Sequence, residues 1–200
     1  MYMNISLSPL DDRYSKITEE LKDYFSEYAL FKYRMRVELK YFIKLVELNL
    51  EELDGISINQ IRKIFKLIYR NYNNEAYKKI KDYEKVTKHD VKALEYYLRD
   101  VFDKYELSRY KSFIHFGLTS QDINNTANSL QLKDCIQKNY INKLNTIIEK
   151  INFYSTNFAD VIMISRTHGQ PAVPTTMGKE FNVFSYRLGI QLEQLMSMKY

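Results

Sequence analysis

The feature that most constrains the fold of this chain is its shortage of residues that interrupt helices. Its 200 residues include three prolines and five glycines, and between Pro9 and the segment 169–174 only Gly55 and Gly117 intervene. Strands need frequent turns, and turns are built mainly from glycine, proline and short polar residues. Long segments without interruption favour helices. We therefore predict an all-α fold.

The clearest helical segment runs from Ile123 to Asp160. Its apolar residues recur every three or four positions, which places them in one stripe along about nine or ten turns of ~3.6 residues. A helix of this length cannot bury its stripe alone and is typical of an extended bundle or of an oligomer. The stripe consists of Ile136, Tyr140, Leu144, Ile147, Ile151, Tyr154 and Phe158.

Further helices are predicted on both sides of this segment. A run near 17–49 is expected to break around Ser26, and a last helix begins near Thr176 and continues to the end of the chain, as if the chain had been cut there. The other predicted helices are 57–71, 74–83 and 90–105, the last with an apolar face of Val91, Leu94, Tyr97, Leu98 and Val101.

Two domains are predicted from this arrangement. Residues 1–112 form a small helical N-terminal domain, and residues 113–200 form the first part of a truncated domain of long bundled helices.

The composition narrows the classes of function. A net charge of +5 and a pI of about 9.0 favour anionic ligands. However, lysine and arginine alternate with acidic residues, which is typical of solvated helix faces. A nucleic-acid-binding protein stays an alternative, and it would gather its cations on one face and lose affinity steeply with salt.

The sequence also bears on location. The single cysteine, Cys135, excludes an internal disulfide and fits a reducing compartment. No apolar run approaches the ~20 residues of a membrane span, and the first residues lack the pattern of a secretory signal. We expect a cytoplasmic protein with no membrane partner.

Two short motifs share one pattern, threonine followed three residues later by aspartate before a helix. They are TKHD (Thr87–Asp90) and TSQD (Thr119–Asp122). One interpretation is a capping box that only satisfies backbone amides. The other is an anion site in which Thr119 and Ser120 hydroxyls and helix amides hold a carboxylate or phosphate, with His89 as a further donor.

The segment ISRTHGQPAVPTT (Ile164–Thr176) is the third candidate. Gly169 and two prolines predict a rigid loop between two helices. Such a loop can hold His168 at a fixed point, and histidine is suited to proton transfer near neutral pH. A plain connector is the alternative. The three histidines show no spacing typical of a zinc site, so no metal is predicted.

These motifs together resemble the adenylosuccinate lyase family of the fumarase/aspartase superfamily. The resemblance rests on SPLDDRYSK, TKHDVKALEYYL, FIHFGLTSQDINN and SRTHGQPAVPTT and extends from about Ser8 onward. It implies β-elimination of fumarate from adenylosuccinate to give AMP, and from the succinylated carboxamide ribotide (SAICAR) to give AICAR. No cofactor is implied.

The resemblance also implies roles for individual residues. His168 is the general acid that protonates the leaving nitrogen. Thr119 and Ser120 hold a succinyl carboxylate, and Arg13 and Tyr14 contact the nucleotide phosphate. The strip Lys88, His89 and Asp90 also contacts the substrate. Lys88 departs from the asparagine common in relatives, which puts a side-chain contact at that position in doubt.

The serine that serves as general base in this family lies in a loop that these 200 residues do not contain. The resemblance implies a longer protein with three helical domains that assembles as a homotetramer. We therefore expect an N-terminal fragment that is inactive alone. A helical interaction module whose motifs are only caps, and another lyase of the superfamily, are the remaining alternatives. An exposed His168 with no anion-sized cleft near Thr119 would favour the interaction module.

Overall fold

The computed structural model describes residues 6–198, and these residues are mainly helical, as predicted. They divide between Leu132 and Lys133 into two compact units. The predicted domain boundary after residue 112 stays a prediction. The α-helices are α1 (Lys22–Phe25), α2 (Glu27–Glu47), α3 (Ile58–Arg70), α4 (Asn74–Thr87), α5 (Asp90–Lys104), α6 (Ser120–Cys135), α7 (Ile141–Asn157) and α8 (Met177–Ser197).

Short polar residues start three of these helices. Each accepts a hydrogen bond from the backbone N–H three residues further on and so satisfies an amide that has no partner inside the helix. The predicted break at Ser26 is confirmed, because Ser26 has an extended backbone and caps α2. The pairs are Ser26 with Ala29 at 3.1 Å, Asn73 with Ala76 at 3.0 Å, and Thr176 with Lys179 at 3.3 Å.

The first unit has a continuous apolar core built from α2, α3, α4 and α5. The ring of Phe42 lies 5.5 Å from that of Phe65 and 5.2 Å from that of Phe102, both edge-on. On α5 the predicted apolar face is confirmed, since Leu94 and Leu98 are fully buried. Each such side chain contributes about 1.5–3 kcal/mol by its burial.

The long helix predicted from Ile123 is confirmed with one addition. A π-helical segment, Ile136–Tyr140, joins α6 to α7 while the backbone stays right-handed helical at both of its ends. The inserted turn was not predicted, because the spacing of apolar residues continues across it. Along the predicted stripe, Tyr140 and Ile147 are about half exposed.

In the second unit, α7 packs along α8. The Phe181 ring of α8 lies 5.6 Å from Tyr154 and 6.2 Å from Phe158. Gly178 is buried at this contact. Only glycine fits there, because a Cβ would come within 2.3 Å of the Ser155 carbonyl oxygen. The expected continuation of α8 to the end of the chain is not seen, since α8 ends at Ser197 and Met198 is extended. Residues 199–200 lie outside the described residues.

The segment predicted as a loop is a β-hairpin. Strands β1 (Ile162–Thr167) and β2 (Gln170–Thr176) pair antiparallel, with a bulge between Ile164 and Arg166. Prolines fit here because both strands of a two-stranded sheet are edge strands, so a residue without an N–H need not break a ladder. The two-residue turn is His168–Gly169, and both have positive φ, 50° and 76°. This is the backbone pattern of a tight hairpin turn.

Candidate functional site

The two threonine–aspartate motifs meet in the first unit. α4 ends at Thr87, and Lys88 has a left-handed backbone with φ 53°, which turns the chain so that His89 stands at the start of α5. Ser120 is the first residue of α6. The His89 Nε2 atom lies 3.2 Å from the Ser120 Oγ atom, so residues 31 positions apart in sequence form one polar cluster.

The hydrogen bonds of His89 determine which nitrogen carries its proton. Its Nδ1 accepts a hydrogen bond from the Lys92 backbone N–H at 3.2 Å, which makes His89 the N-cap of α5. The proton of the neutral ring therefore resides on Nε2, which donates to Ser120 Oγ. Because Ser120 accepts this bond, its own hydroxyl proton remains able to donate to an anion.

The capping-box interpretation is wrong for TKHD and holds in part for TSQD. Thr87 lies at the end of α4, and His89 caps α5 in its place. At the start of α6, the Asp122 carboxylate accepts hydrogen bonds from the Thr119 backbone N–H at 2.7 Å and from the Thr119 hydroxyl at 2.9 Å. These two bonds hold the pKa of Asp122 below its ordinary value.

This cap limits what Thr119 can offer a ligand. Both of its donors point to Asp122, so an anion that binds the Thr119 hydroxyl must displace the aspartate from it. The hydroxyl of Ser120 and the first amides of α6 meet no such competition from Asp122. In this cluster Ser120 is therefore better placed than Thr119 to donate a hydrogen bond to an anion.

A buried arginine that sequence reasoning missed holds the cluster together. Arg34 on α2 is 5% exposed. Its Nη2 lies 2.7 Å from Asp90 Oδ2, and its Nε donates to Asn124 Oδ1 at 2.8 Å. One side chain thus connects α2 with the start of α5, next to His89, and with α6, on which Ser120 lies.

Asp90 is consequently a structural anchor as well as a predicted contact residue. Burial opposes its ionisation, but the Val91 N–H bond at 2.8 Å and the charge of Arg34 prevail and hold the pKa of Asp90 below its ordinary value. The carboxylate is 40% exposed. It is therefore ionised at neutral pH and accessible at one side.

A second missed residue on α2 is Glu38, whose side chain is 2% exposed. Its Oε1 lies 2.6 Å from His115 Nδ1. This hydrogen bond raises the pKa of His115 above its ordinary value, although burial opposes the charge. Sequence contains a signal for both missed residues, since Arg34 and Glu38 occupy the 3.6-residue face otherwise formed by Phe31, Met35, Leu39 and Phe42.

The other predicted contact residues of the first unit lie at its surface. Lys88 is exposed at the turn between α4 and α5. Arg13 and Tyr14 lie in consecutive turns before α1, where the Arg13 guanidinium sits 5.4 Å from the Tyr14 ring centre and Tyr14 is 41% exposed. A cation over an aromatic face is a favourable pairing, and it presents the two side chains together.

His168 lies in the second unit, at the tip of the β-hairpin, and it is exposed. The Arg166 Nη1 atom donates to the Gly169 carbonyl at 3.4 Å across the turn. The hairpin fixes the backbone of His168 because its φ is set by the two-residue turn. The role of His168 in chemistry stays a prediction, as do the roles of the other seven predicted site residues.

A cavity of about 490 Å³ lies beside the start of α6, between α6 and α2. Its walls include Leu118, which precedes Thr119, and Asp122, which accepts hydrogen bonds from Thr119, and also Tyr41 and Lys40. An opening large enough for an anion therefore lies next to this motif.

Among residues 6–198, no cluster of three or more histidine, cysteine, aspartate or glutamate side chains is arranged to hold a metal ion. Within the same range, none of the helices combines the length and apolar character needed to cross a bilayer.

A family model described as Lyase matches residues 12–200. The adenylosuccinate lyase of Dictyostelium discoideum is 42% identical to this chain over 194 residues. That of Legionella pneumophila (strain Corby) is 44% identical over 192 residues. Each alignment covers 95% of this chain and 42% of the relative, so the chain spans less than half the length of these relatives.

Solved structures show the same fold at lower sequence identity. A fumarate lyase from Mesorhizobium sp. BNC1 superposes with a TM-score of 0.70 and 20% identity, over 89% of this chain and 39% of that structure. A β-carboxy-cis,cis-muconate cycloisomerase from Acinetobacter calcoaceticus sp. ADP1 gives 0.66 and 20%, over 90% and 40%. The predicted fold class, an all-α fold of the fumarase/aspartase type, is confirmed.

Proposed function

This chain belongs to the lyase family that the matching model describes, and from that premise we propose that it is the N-terminal portion of an adenylosuccinate lyase. The reaction is β-elimination of fumarate from adenylosuccinate to give AMP, and from SAICAR to give AICAR. The observation that carries this proposal is the contact of His89 with Ser120, which brings two motifs of the resemblance into one polar cluster.

The substrate has a phosphate and two carboxylates, and each has a proposed partner. Ser120 and Thr119 hold a succinyl carboxylate, with Ser120 donating directly because its hydroxyl proton is available. Arg13 and Tyr14 contact the phosphate. The strip from Lys88 to Asp90 lines the site, where His89 orients Ser120. These assignments are supported by the contacts within the first unit and by the net charge of +5.

The chemistry is a proton abstraction followed by cleavage of a carbon–nitrogen bond. A base removes the proton from the carbon next to a carboxylate, and the electron pair shifts onto that carboxylate. Donors beside the carboxylate stabilise this developing charge, which gives Ser120 a mechanistic purpose. His168 then supplies the proton to the departing nitrogen while the C–N bond breaks.

The base is expected outside these 200 residues, so the chain alone is proposed to be inactive. The proposal includes a homotetramer in the cytoplasm and needs neither a cofactor nor nucleic acid. Self-association is supported by apolar side chains that are exposed on the second unit, such as Phe184 at 58% and Ile162 at 81%.

An absorbance assay tests the proposed function. The full-length product of the gene is expected to cleave adenylosuccinate and release fumarate, and the 200-residue chain is expected to show no cleavage above background. Argininosuccinate serves as the control substrate for another lyase of the superfamily and is expected to stay intact. A full-length protein that leaves adenylosuccinate unchanged would contradict the proposal.

A non-enzymatic helical interaction module is the second candidate, and the exposure of His168 favours it. A cavity does adjoin the start of α6, as an anion-binding protein requires, but neither Thr119 nor Ser120 lines it. The same assay separates the two candidates, because an interaction module releases no fumarate.

A further inference from the structure

The buried carboxylate of Glu38 has no role in the proposed reaction as described so far. Its Oε1 contacts His115 Nδ1 at 2.6 Å, and its Oε2 is buried without a hydrogen-bond partner among the described residues. A buried ionised carboxylate is costly unless a positive charge lies next to it. The only counter-charge that this contact offers Glu38 is a protonated His115.

A neighbouring buried glutamate shows the contrast. Glu95 on α5 is 4% exposed, and its two oxygens lie 2.8 Å from Lys92 Nζ and 2.7 Å from Arg99 Nη2. Two permanent cations thus compensate Glu95. Glu38 depends on a side chain that can lose its proton near neutral pH.

His115 begins the turn that leads into α6. Both His115 and Gly117 have positive φ, 60° and 68°, and the Leu118 N–H donates to the His115 carbonyl at 3.3 Å. A second contact from α2 holds the same turn, because the Tyr41 hydroxyl donates to the Phe116 carbonyl at 2.9 Å. α2 therefore secures residues 115–118 at two points, directly before Thr119 and Ser120.

We propose that Glu38 is a positioning residue of this lyase, which holds His115 as a cation and thereby fixes the turn that places Thr119 and Ser120. This inference rests on the proposed function. Glu38 touches neither residue directly and acts through the turn. The charged groups that face His115 are Glu38 from α2, Glu95 and Lys92 from α5, and Asp122 from α6.

The proposal predicts a particular pH dependence. The Glu38 hydrogen bond raises the pKa of His115 above its ordinary value. The ion pair is therefore complete below about pH 6.5, the ordinary histidine value, and it is lost as the pH rises through the raised value. Substrate binding should weaken over that alkaline range.

Kinetics of the full-length protein between pH 6 and 9 test this inference. Glu38→Gln keeps an oxygen acceptor for His115 but removes the charge. We expect the KM of this variant for adenylosuccinate to rise at a lower pH than that of wild type, by at least about tenfold where the two profiles differ most, and to approach wild type at pH 6, while kcat changes little. Glu38→Asp keeps the charge, so the pH at which KM rises should stay at its wild-type midpoint. Glu47→Gln is the control and should leave the profile unchanged, since Glu47 lies at the end of the same helix, is 26% exposed and pairs with Arg62.

Several outcomes would overturn the inference. An active wild type together with a Glu38→Gln profile that superposes on it would do so, as would a rise in KM that is equal at every pH, since that indicates structural damage only. If Glu38→Gln does not fold, the pH dependence of KM in the wild type is the test. A wild-type KM that stays constant above about pH 6.5, the ordinary histidine value, contradicts the inference. A wild type without any cleavage overturns the proposed function and this inference with it.

Discussion

The two compact units are stabilised in different ways. In the first unit, buried side chains of four helices form a continuous core, and Arg34 and Glu38 attach the motif segments to it. In the second unit, α7 and α8 pack along each other and the hairpin connects them, while apolar side chains such as Val173 at 73% and Tyr186 at 69% are exposed. We infer that the first unit fixes the positions of His89 and Ser120 by its own contacts, whereas the second unit leaves much of its apolar surface uncovered.

The largest expected difference between the units comes from removing one phenylalanine in each. Phe42→Ala should lower the free energy of unfolding of the first unit by about 3–5 kcal/mol, because Phe42 is 1% exposed and its loss leaves a cavity. Phe184→Ala should cost less than about 0.5 kcal/mol, since that ring is 58% exposed. Urea unfolding of both variants measures this. Equal costs would contradict the comparison.

Phe184 has a second use in the comparison. If the apolar surface of the second unit is covered by further copies of the protein, Phe184→Ala should weaken self-association of the chain although it leaves the unfolding free energy almost unchanged. Sedimentation over a range of protein concentrations measures this effect. Phe42→Ala cannot test this effect on self-association, because that side chain is buried inside the first unit.

A smaller effect is expected from the buried arginine. Arg34→Met should lower the free energy of unfolding by about 2–3 kcal/mol, because Asn124 loses its charged hydrogen-bond donor and Asp90 its ion-pair partner. Arg62→Met is the matched control. Arg62 also contacts a carboxylate at 2.6 Å but is 56% exposed, so its loss should cost at most about 1 kcal/mol. A similar loss of unfolding free energy in both variants would contradict the conclusion that Arg34 holds the polar cluster together.

The smallest effect concerns the contact of α7 with α8. Gly178→Ala should destabilise the second unit by about 1–2 kcal/mol, since the new methyl group would lie 2.3 Å from the Ser155 carbonyl oxygen. Gly189→Ala on the same helix has open space and should stabilise α8 by about 0.5–1 kcal/mol. Thermal unfolding followed by circular dichroism distinguishes the two signs.

Sequence periodicity predicted the helices well because it records directly which faces are buried. The helices at 57–71 and 90–105 and the break at Ser26 follow from spacing and capping residues. The hairpin at Ile162–Thr176 was missed because its two prolines and Gly169 indicate only that a helix stops. Strand pairing depends on a turn whose first residue, His168, gives no glycine-like signal.

The candidate site was predicted in part for a related reason. Motifs identify candidate residues, and the contact of His89 with Ser120 brings two of the motifs together, while the binding role of these residues stays a prediction. Contacts that support the motifs are long-range, and no local pattern specifies them. Arg34 and Asn124 are 90 positions apart, and Glu38 and His115 are 77 apart.

The most direct test of this account compares kcat and KM for adenylosuccinate among full-length wild type, His168→Ala and Ser120→Ala. If the second unit supplies the acid and the first holds the carboxylate, His168→Ala should lower kcat by about 10²–10⁴-fold with KM nearly unchanged. Ser120→Ala should raise KM and also lower kcat, but lower it less than His168→Ala does, because Ser120 both binds the carboxylate and stabilises its developing charge. A His168→Ala variant that retains nearly full kcat would contradict the assignment, because the proton would then come from another group.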